Sequence, residues 1–260
     1  MNEINPKLLT TDALVSFLKK ASKAYRSGSP IIDDDAYDHG YLAELKKREP
    51  SHSFLHEVEL EPSFGEVRLK HPMPMLSTEK SYSIEETQKW IERIKKEASK
   101  NNIDPNTLSI IVTAKLDGLA AMRREDGLLA SRGDGIHGND ITSVFDKGVV
   151  DAGKGISGVG ELVMETNYFD KHIKQLGYAH PRNICVGVVN SDEVNKDFIQ
   201  ALKDKVVRFV PYTTLDRWEG SFSDLIDQHE KVQDQIIKNC VYPTDGVVAE
   251  ITHTKMKTLL

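Results

Sequence analysis

The sequence predicts an α+β fold: a small helical N-terminal domain, then a mixed, mainly antiparallel domain. Three observations predict this arrangement. Apolar residues in the first 50 positions recur with helical spacing, whereas short β-rich runs alternate with helical segments from residue 83 onward. Between these two parts lies an irregular stretch. Strands and helices without regular βαβ spacing favour an α+β domain over a doubly wound sheet.

Two helices are expected in the first part of the chain. Apolar residues from Leu14 to Tyr25 follow one helical face. The acidic run 33–35 suits the positive N-terminus of a second helix, which we expect to end at Pro50. Residues 51–70 are irregular and are interpreted as a linker. We therefore divide the chain into domains 1–66 and 67–260.

The second part contains one clear β-hairpin, because 119–124 and 128–131 flank an Asp126-Gly127 turn. Ser83 and Glu86 have capping-box spacing at the start of a helix that runs through Ile94. Further strands are expected at 108–114, 159–164, 206–212 and 246–252, and further helices at 167–176, 192–203 and 223–238.

The composition narrows the class of protein. With 39% hydrophobic and 28% charged residues among 260, the chain has the balance of a folded globular protein. No apolar run approaches the roughly 18 residues that span a bilayer, so no membrane partner is expected. Cys185 and Cys240 suit buried thiols in a reducing compartment, and we predict a cytoplasmic location. A formal charge of −6 argues against a dedicated basic nucleic-acid wrapper.

The run Thr113-Ala114-Lys115-Leu116-Asp117-Gly118 ends an apolar strand. Strand side chains alternate between faces, so Lys115 and Asp117 should point the same way. Gly118 permits a turn or the close approach of a ligand. A partly desolvated lysine loses its proton more easily and becomes a nucleophile. On these residues alone, a surface lysine in a turn is the simpler interpretation.

A glycine-rich stretch follows the hairpin at 132–142, with the sequence Arg-Gly-Asp-Gly-Ile-His-Gly-Asn-Asp-Ile-Thr. Glycines let backbone N–H groups reach an anion, and Arg132 can add a charge-assisted bond to a phosphate or a ribose. Taken alone, such a loop is more often an ordinary turn.

Six segments, in order, resemble the NAD-dependent DNA ligases, a family of nucleotidyltransferases that form lysyl-AMP. The run Lys115-Leu116-Asp117-Gly118 resembles motif I, the site of adenylation, and 132–142 resembles the stretch after it. Gly160-Glu161 resembles motif III, and 245–248 resembles motif IV. The other two matches are 71–77, similar to the segment that opens the adenylation domain, and 180–183, similar to the Asn-Pro-Arg-Asn segment.

The resemblance implies a ligase-type nucleotidyltransferase fold, unrelated to ATP-grasp, and a role for each matched side chain. Lys115 would be the nucleophile, with Asp117 in the same catalytic motif. Glu161 would contact the ribose of AMP, and Asp245 would lie near the metal, Mg²⁺, and the phosphate. The remaining AMP-binding residues implied by the resemblance are Leu76, Ser77, Leu116, Arg132 and Arg182.

The same resemblance implies NAD as the source of AMP. In this family a small helical domain, called Ia, binds the nicotinamide mononucleotide half of NAD. Asp34, Tyr37 and Asp38 match its Asp-x-x-Tyr-Asp element, and Tyr25 fits an upstream aromatic residue. Without motif I downstream, an ordinary pair of amphipathic helices with an acidic cap would explain these residues equally well.

The chain departs from the family pattern at four positions. Thr113 replaces a glutamate that contacts adenine, and Arg26 replaces a histidine of domain Ia. Asn190 and Glu250 replace cations that face phosphate. The sequence also stops before the lysine-bearing motif V and the OB-fold. Two explanations remain open. One is a split or viral ligase whose second chain supplies these parts for sealing nicked double-stranded DNA, and the other is a piece of a longer ligase.

Two further functions stay open at this stage. A non-catalytic relative would bind NAD or a partner without chemistry, and Thr113 and Glu250 would be its signature. An RNA ligase or another adenylyltransferase would use the same lysine on a different acceptor.

Overall fold

The computed structural model describes residues 5–26, 31–33, 35–56, 67–191 and 193–259. Asp34 and most of the predicted linker therefore lie outside the described residues. The helices are α1 (Thr11–Arg26), α2 (Ala43–Arg48), α3 (Ile84–Lys100), α4 (Thr166–Tyr168), α5 (Arg182–Asn190), α6 (Lys196–Lys203), α7 (Phe222–Asn239) and α8 (Thr254–Leu259). The strands are β1 (Arg68–Lys70), β2 (Ile110–Leu116), β3 (Leu119–Arg123), β4 (Leu129–Ser131), β5 (His137–Asn139), β6 (Val150–Asp151), β7 (Gly158–Met164), β8 (Val207–Pro211), β9 (Arg217–Gly220) and β10 (Thr244–Ile251).

The described residues from 5 to 56 form a set of packed helices, called here the helical unit. Leu14 and Leu18 of α1 are fully buried against Leu45 of α2, so the helical spacing of the sequence does mark a packed face. Helix α2 is preceded by a π-helical segment, Ala36–Leu42. The Asp33 carboxylate accepts a hydrogen bond from the Ala36 amide at 2.7 Å, as expected of an acid at a helix start.

A five-stranded sheet with the order β4-β3-β7-β8-β6 forms one half of the remaining structure. All its pairs are antiparallel except β6 with β8. Leu119, Leu162 and Phe209 from its strands are fully buried with Ile184 of α5. The predicted hairpin is confirmed, because β3 pairs with β4 across a turn in which Gly127 has φ +87°.

A three-stranded antiparallel sheet, in the order β10-β2-β9, forms the other half. Along β2, buried residues alternate with half-buried ones, because one face packs on α3 and α7. Its β-branched run Ile110-Ile111-Val112-Thr113 suits a half-buried pleated surface. The mixed and mainly antiparallel α+β architecture agrees with the fold class that the sequence predicts.

A β-bulge interrupts the pairing of β10 with β2. The register shifts between Thr244 and Val247, so that Asp245 and Gly246 both lie opposite Lys115. A bulge places two residues opposite one and redirects their side chains. Gly246 takes the positive φ of +142° that this backbone requires.

Several sequence expectations need correction. The expected linker contains a 3₁₀ turn, Ser53–His56, and strand β1, which pairs with β5 across the glycine-rich loop. The helix expected at 192–203 begins at Lys196. In place of one regular helix at 167–176, α4 leads into a π-helical segment, Phe169–Ile173, and a 3₁₀ turn.

The start of α3 differs in detail from the capping box that its sequence predicts. Ser83 caps the helix by accepting from the Glu86 amide at 3.2 Å. The Glu86 carboxylate, however, accepts from the amide of Tyr82 at 2.8 Å, one residue before the expected donor. The capping function is therefore kept, with its second bond shifted toward the preceding segment.

Both cysteines are free thiols, as expected. Cys185 is fully buried in α5, and burial raises its pKa to about 12. Cys240 is half-buried, and burial also raises its pKa. Among the described residues, none of the helices combines the length and the apolar character that crossing a membrane requires.

We expect Gly138→Ala to destabilise the fold by about 3 kcal/mol, the upper end of overpacking penalties. A Cβ at Gly138 would overlap the carbonyl oxygen of Ser131, and that oxygen belongs to rigid backbone. The matched control is Gly40→Ala, since nothing lies within 4 Å of its added Cβ. We expect the control to stay within about 1 kcal/mol of the parent. Urea unfolding followed by circular dichroism measures both, and equal midpoints would contradict the packing argument.

Candidate active site

Lys115 and Asp245 meet where β2 ends and the bulge of β10 begins. The Lys115 amine donates a hydrogen bond to the Asp245 carboxylate. The lysine side chain is 33% exposed, so it is partly withdrawn from water while remaining accessible. The structure thus joins residues of the predicted motifs I and IV, which are 130 positions apart in sequence.

Asp117 lies just beyond the end of β2 and contacts other groups. Its carboxylate accepts from the Tyr25 hydroxyl at 2.9 and 3.0 Å. His180 Nε2 lies 3.3 Å from this carboxylate and Arg182 Nη1 lies 3.7 Å from it. The alternation that relates Lys115 to Asp117 does not apply, because the strand has already ended at Leu116. Asp117 therefore connects the helical unit to the segment that resembles Asn-Pro-Arg-Asn.

Gly118 forms a tight connection between β2 and β3. A Cβ there would overlap the backbone oxygen of Leu162, so only glycine fits. The Gly118 amide donates to the Glu161 carboxylate at 3.2 Å, and Arg182 donates to the Gly118 carbonyl. Glu161 also accepts from the Tyr212 hydroxyl. Glu161 of β7 and Arg182 of α5 consequently hold the turn that follows Lys115 and Leu116.

Sequence reasoning missed Tyr212, and no motif in the sequence marks it. Tyr212 follows directly on β8 and reaches Glu161 from 51 positions away. The available signal was an aromatic residue at the end of a strand, because its hydroxyl group can donate a hydrogen bond.

Arg132 links the glycine-rich loop to the segment 71–77. Its guanidinium donates to the Met75 carbonyl at 3.2 Å and to the Ser77 hydroxyl at 2.7 Å. His71 Nε2 lies 3.0 Å from the Arg132 carbonyl oxygen. The neighbouring Leu76 is 74% exposed. The structure therefore brings together Leu76, Ser77 and Arg132, three predicted AMP contacts, at one edge of the loop.

Leu116 has a different environment from the other predicted contacts. Its side chain is buried in the core of the three-stranded sheet, on the face opposite Lys115. Only its main chain adjoins the site.

The acids of the glycine-rich loop stabilise the loop itself. The Asp134 carboxylate accepts from the amides of His137 at 2.6 Å and Ile136 at 2.9 Å, and it pairs with Arg68. The two amides, helped by the Arg68 charge, lower the pKa of Asp134 to about 2. Part of this loop is thus built as an internally bonded turn.

Two of the contacts that join the helical unit to the other described residues involve predicted site residues. One is the bond from Tyr25 to Asp117, where the Arg182 guanidinium also lies 5.4 Å from the Tyr25 ring centroid. The other is an ion pair between Asp38 and Lys80 at 2.8 Å. Tyr37 is half-buried and packs against the helical core. Three of the four predicted nicotinamide-side residues can therefore be located, and Asp34 is the exception.

Comparison with known proteins identifies the family of the chain. The family model for the NAD-dependent DNA ligase adenylation domain matches residues 63–196, about half of the chain. The chain belongs to that family. The match includes Lys115 and the turn at Gly118, the glycine-rich loop, Glu161 and Arg182. The resemblance that the sequence predicts is therefore confirmed at the level of the family.

Curated relatives named DNA ligase extend the similarity along almost the whole chain. The protein from Desulfatibacillum aliphaticivorans is 42% identical over 248 residues, which is 95% of this chain and 38% of that protein. Those from Vesicomyosocius okutanii and Shewanella baltica are 37% and 36% identical, over 96% of this chain and 40% and 38% of their own lengths. The chain thus spans about two fifths of each relative.

Two of the departures that the sequence predicts, Asn190 and Glu250, each lie near a lysine. Glu250 lies 3.6 Å from the amine of Lys257 on α8, so a neighbouring cation offsets its charge. Asn190 ends α5, where the Lys147 amine donates to the carbonyls of Val188 and Ser191 at 2.8 and 2.7 Å. Lys257 therefore lies beside Glu250, and Lys147 lies beside the end of α5.

The pKa of Asp134 predicts acid sensitivity of the glycine-rich loop. Its folded value lies below its ordinary value of 3.8, so its stabilising contribution is present above pH 3.8 and is lost as the pH falls through about 2. We expect Asp134→Ala to lower stability at pH 6 and to have a shrinking effect between pH 4 and pH 2. Urea unfolding at each pH measures this.

The control for that experiment is Glu230→Ala, because the Glu230 side chain is 88% exposed. Its effect should be small at every pH. A loss of stability in Asp134→Ala that stays the same from pH 6 to pH 2 would contradict the assigned role of the carboxylate.

Proposed function

We propose that this chain performs the adenylation step of an NAD-dependent DNA ligase. In this step Lys115 takes AMP from NAD, nicotinamide mononucleotide leaves, and AMP later passes to the 5′-phosphate of nicked DNA. The single observation that carries the proposal is the pairing of Lys115 with Asp245 beside the turn held by Glu161 and Arg182. Membership of the ligase adenylation family supports it.

The Lys115 amine must lose a proton before it can attack phosphorus. Asp245 already accepts a hydrogen bond from this amine, so its carboxylate is placed to receive that proton. Attack forms a bond between nitrogen and the α-phosphorus of NAD. The bond from that phosphorus to the bridging oxygen breaks, and nicotinamide mononucleotide leaves with the electron pair. Such in-line transfer depends mainly on positioning and charge stabilisation.

The residues around the turn suit an AMP group. Glu161 is buried, and its carboxylate is an acceptor able to take a bond from a ribose hydroxyl. Arg132 and Arg182 are guanidinium groups, which bind phosphate oxygens with charge-assisted bonds. Because Gly118 carries no Cβ, the turn can approach β7 closely. This approach brings Glu161 beside the strand that carries Lys115.

Mg²⁺ fits the available donors with Asp245 as its protein ligand. Within the described ranges, no group of three or more His, Cys, Asp or Glu side chains converges on one point. Mg²⁺ commonly uses only one or two carboxylates together with substrate phosphates and water, so a single Asp245 suffices. The ion would supply charge stabilisation at the transferred phosphate.

NAD rather than ATP is the proposed donor because of the helical unit. Tyr25 already contacts the site through Asp117, and Asp38 lies at the second contact. Together with Asp34 and Tyr37, these residues would hold the nicotinamide half.

For the sealing of nicked DNA, the resemblance to the family also implies motif V and an OB-fold. Motif V and the OB-fold would lie either in a longer form of the protein or in a second ligase subunit. The second subunit stays a prediction, and the relatives give it no support, since this chain matches only about two fifths of each single protein. The cytoplasmic location also stays a prediction.

Incubation with NAD and Mg²⁺ tests the proposal directly. We expect intact mass spectrometry to show a gain of one AMP, and we expect this gain to disappear in Lys115→Ala because the nucleophile is removed. Lys100→Ala is the matched control. Lys100 forms only a surface pair with Glu97 on α3, so that variant should keep the full gain.

The same experiment separates the competing functions. An adduct formed from ATP but not from NAD would overturn the role given to Tyr25, Tyr37 and Asp38. The lack of an adduct with either nucleotide would favour a non-catalytic relative. Transfer of the bound AMP to an RNA end in preference to nicked DNA would favour an RNA ligase.

A further inference from the structure

Residues 80–82, called here the clasp, hold the helical unit against the adenylation domain. The Lys80 amine donates to both oxygens of the Asp38 carboxylate, at 2.8 and 3.1 Å. The ring of Tyr82 meets the edge of His39, with centroids 5.3 Å apart. The Lys46 amine lies over the same ring, 5.1 Å from its centroid. Three side chains of the helical unit therefore converge on two residues of the clasp.

The ion pair of the clasp is partly shielded from water. The Lys80 side chain is 45% exposed and that of Asp38 is 23% exposed. Burial lowers the pKa of Lys80, but the hydrogen bond and charge of Asp38 outweigh that effect and raise it above its ordinary value. Lys80 is therefore charged throughout the neutral range. Such a pair is stronger than a fully exposed one and weakens as salt is added.

The clasp and the Tyr25 bond together fix the orientation of the helical unit. Tyr25, at the end of α1, is bonded to Asp117, whereas Asp38 lies in the π-helical segment Ala36–Leu42. One contact alone would leave the unit able to pivot about it. The Tyr25 bond and the several contacts of the clasp together set both the position and the rotation of the unit.

We propose that Lys80 is a positioning residue for the use of NAD, acting by docking the helical unit rather than by touching the reacting atoms. This inference rests on the proposed function, because it assigns the docked unit to the nicotinamide half of NAD. Loss of Lys80 should weaken NAD capture while leaving the chemistry at Lys115 intact. In the described part of the chain, Lys115 bonds to Asp245 and Gly118 bonds to Glu161, and these partners lie outside the clasp.

The test measures the rate of lysyl-AMP formation in a single turnover at increasing NAD concentration. For Lys80→Met we expect the NAD concentration at half-maximal rate to rise about two- to fivefold, the range for a partly exposed ion pair. The maximal rate should stay at the parent value. Lys80→Arg keeps the charge and should restore most of the affinity. High salt should weaken NAD use by the parent more than by Lys80→Met.

Arg93→Met is the matched control. Arg93 pairs with Glu79 at 2.6 Å, and Glu79 is next to the clasp in sequence. Both partners belong to the adenylation domain, so this pair does not reach the helical unit. This variant should leave the dependence on NAD unchanged. Amide hydrogen exchange supplies a readout without activity: residues 43–48 should exchange faster in Lys80→Met, and residues 110–116 should not.

The outcomes distinguish failure of the proposed function from failure of the positioning role of Lys80. If the parent forms no adduct from NAD, the proposed function fails and this inference fails with it. If the parent forms the adduct, but Lys80→Met matches Arg93→Met in NAD dependence and in exchange, the positioning role is wrong while the proposed function stands. A fall in maximal rate alone would also overturn it, because that result places Lys80 in the chemical step.

Discussion

Asp117 and Gly118 form the whole connection between β2 of the three-stranded sheet and β3 of the five-stranded sheet. The absence of a side chain at Gly118 allows this connection to lie against the backbone of β7. Both sheets can then converge, one bringing Lys115 and Asp245 and the other bringing Glu161. A larger residue would push the sheets apart, and the groups of the site would no longer meet. The geometry of the site therefore depends on steric room at one position.

Paired charges and hydroxyl donors stabilise the acids around that connection. Asp117 receives the Tyr25 hydroxyl and Glu161 receives the Tyr212 hydroxyl, while Asp245 receives the Lys115 amine. Burying a carboxylate without such donors would cost several kcal/mol. Each acid is thus kept in place by a group from another segment. The fold and the site share these bonds, so a change at one donor affects both.

The sequence predicts the parts of the site that are short and local. The run around Lys115 and the turn at Gly118 lie within a few residues, whereas Glu161 and Asp245 are predicted through the family resemblance. Tyr212 and Lys80 could not be predicted, because their partners lie 51 and 42 positions away and neither residue belongs to a segment that resembles the family. Helix α5 was missed for another reason. Its run Ile184-Cys185-Val186-Gly187-Val188-Val189 has the β-branched character of a strand, and tertiary packing overrides that preference. Strands of two or three residues, such as β5 and β6, are too short to show any periodicity.

Helix α5 also contains a natural probe of its own opening. Cys185 lies one turn beyond Arg182 and is fully buried, and its pKa of about 12 leaves almost no thiolate in the folded protein. Its thiol can be modified only when the helix separates from the sheet beneath it. The rate at which Cys185 reacts, with the half-buried Cys240 as an internal reference, therefore reports how often the helix that carries Arg182 detaches. No additional cysteine has to be introduced to observe that motion.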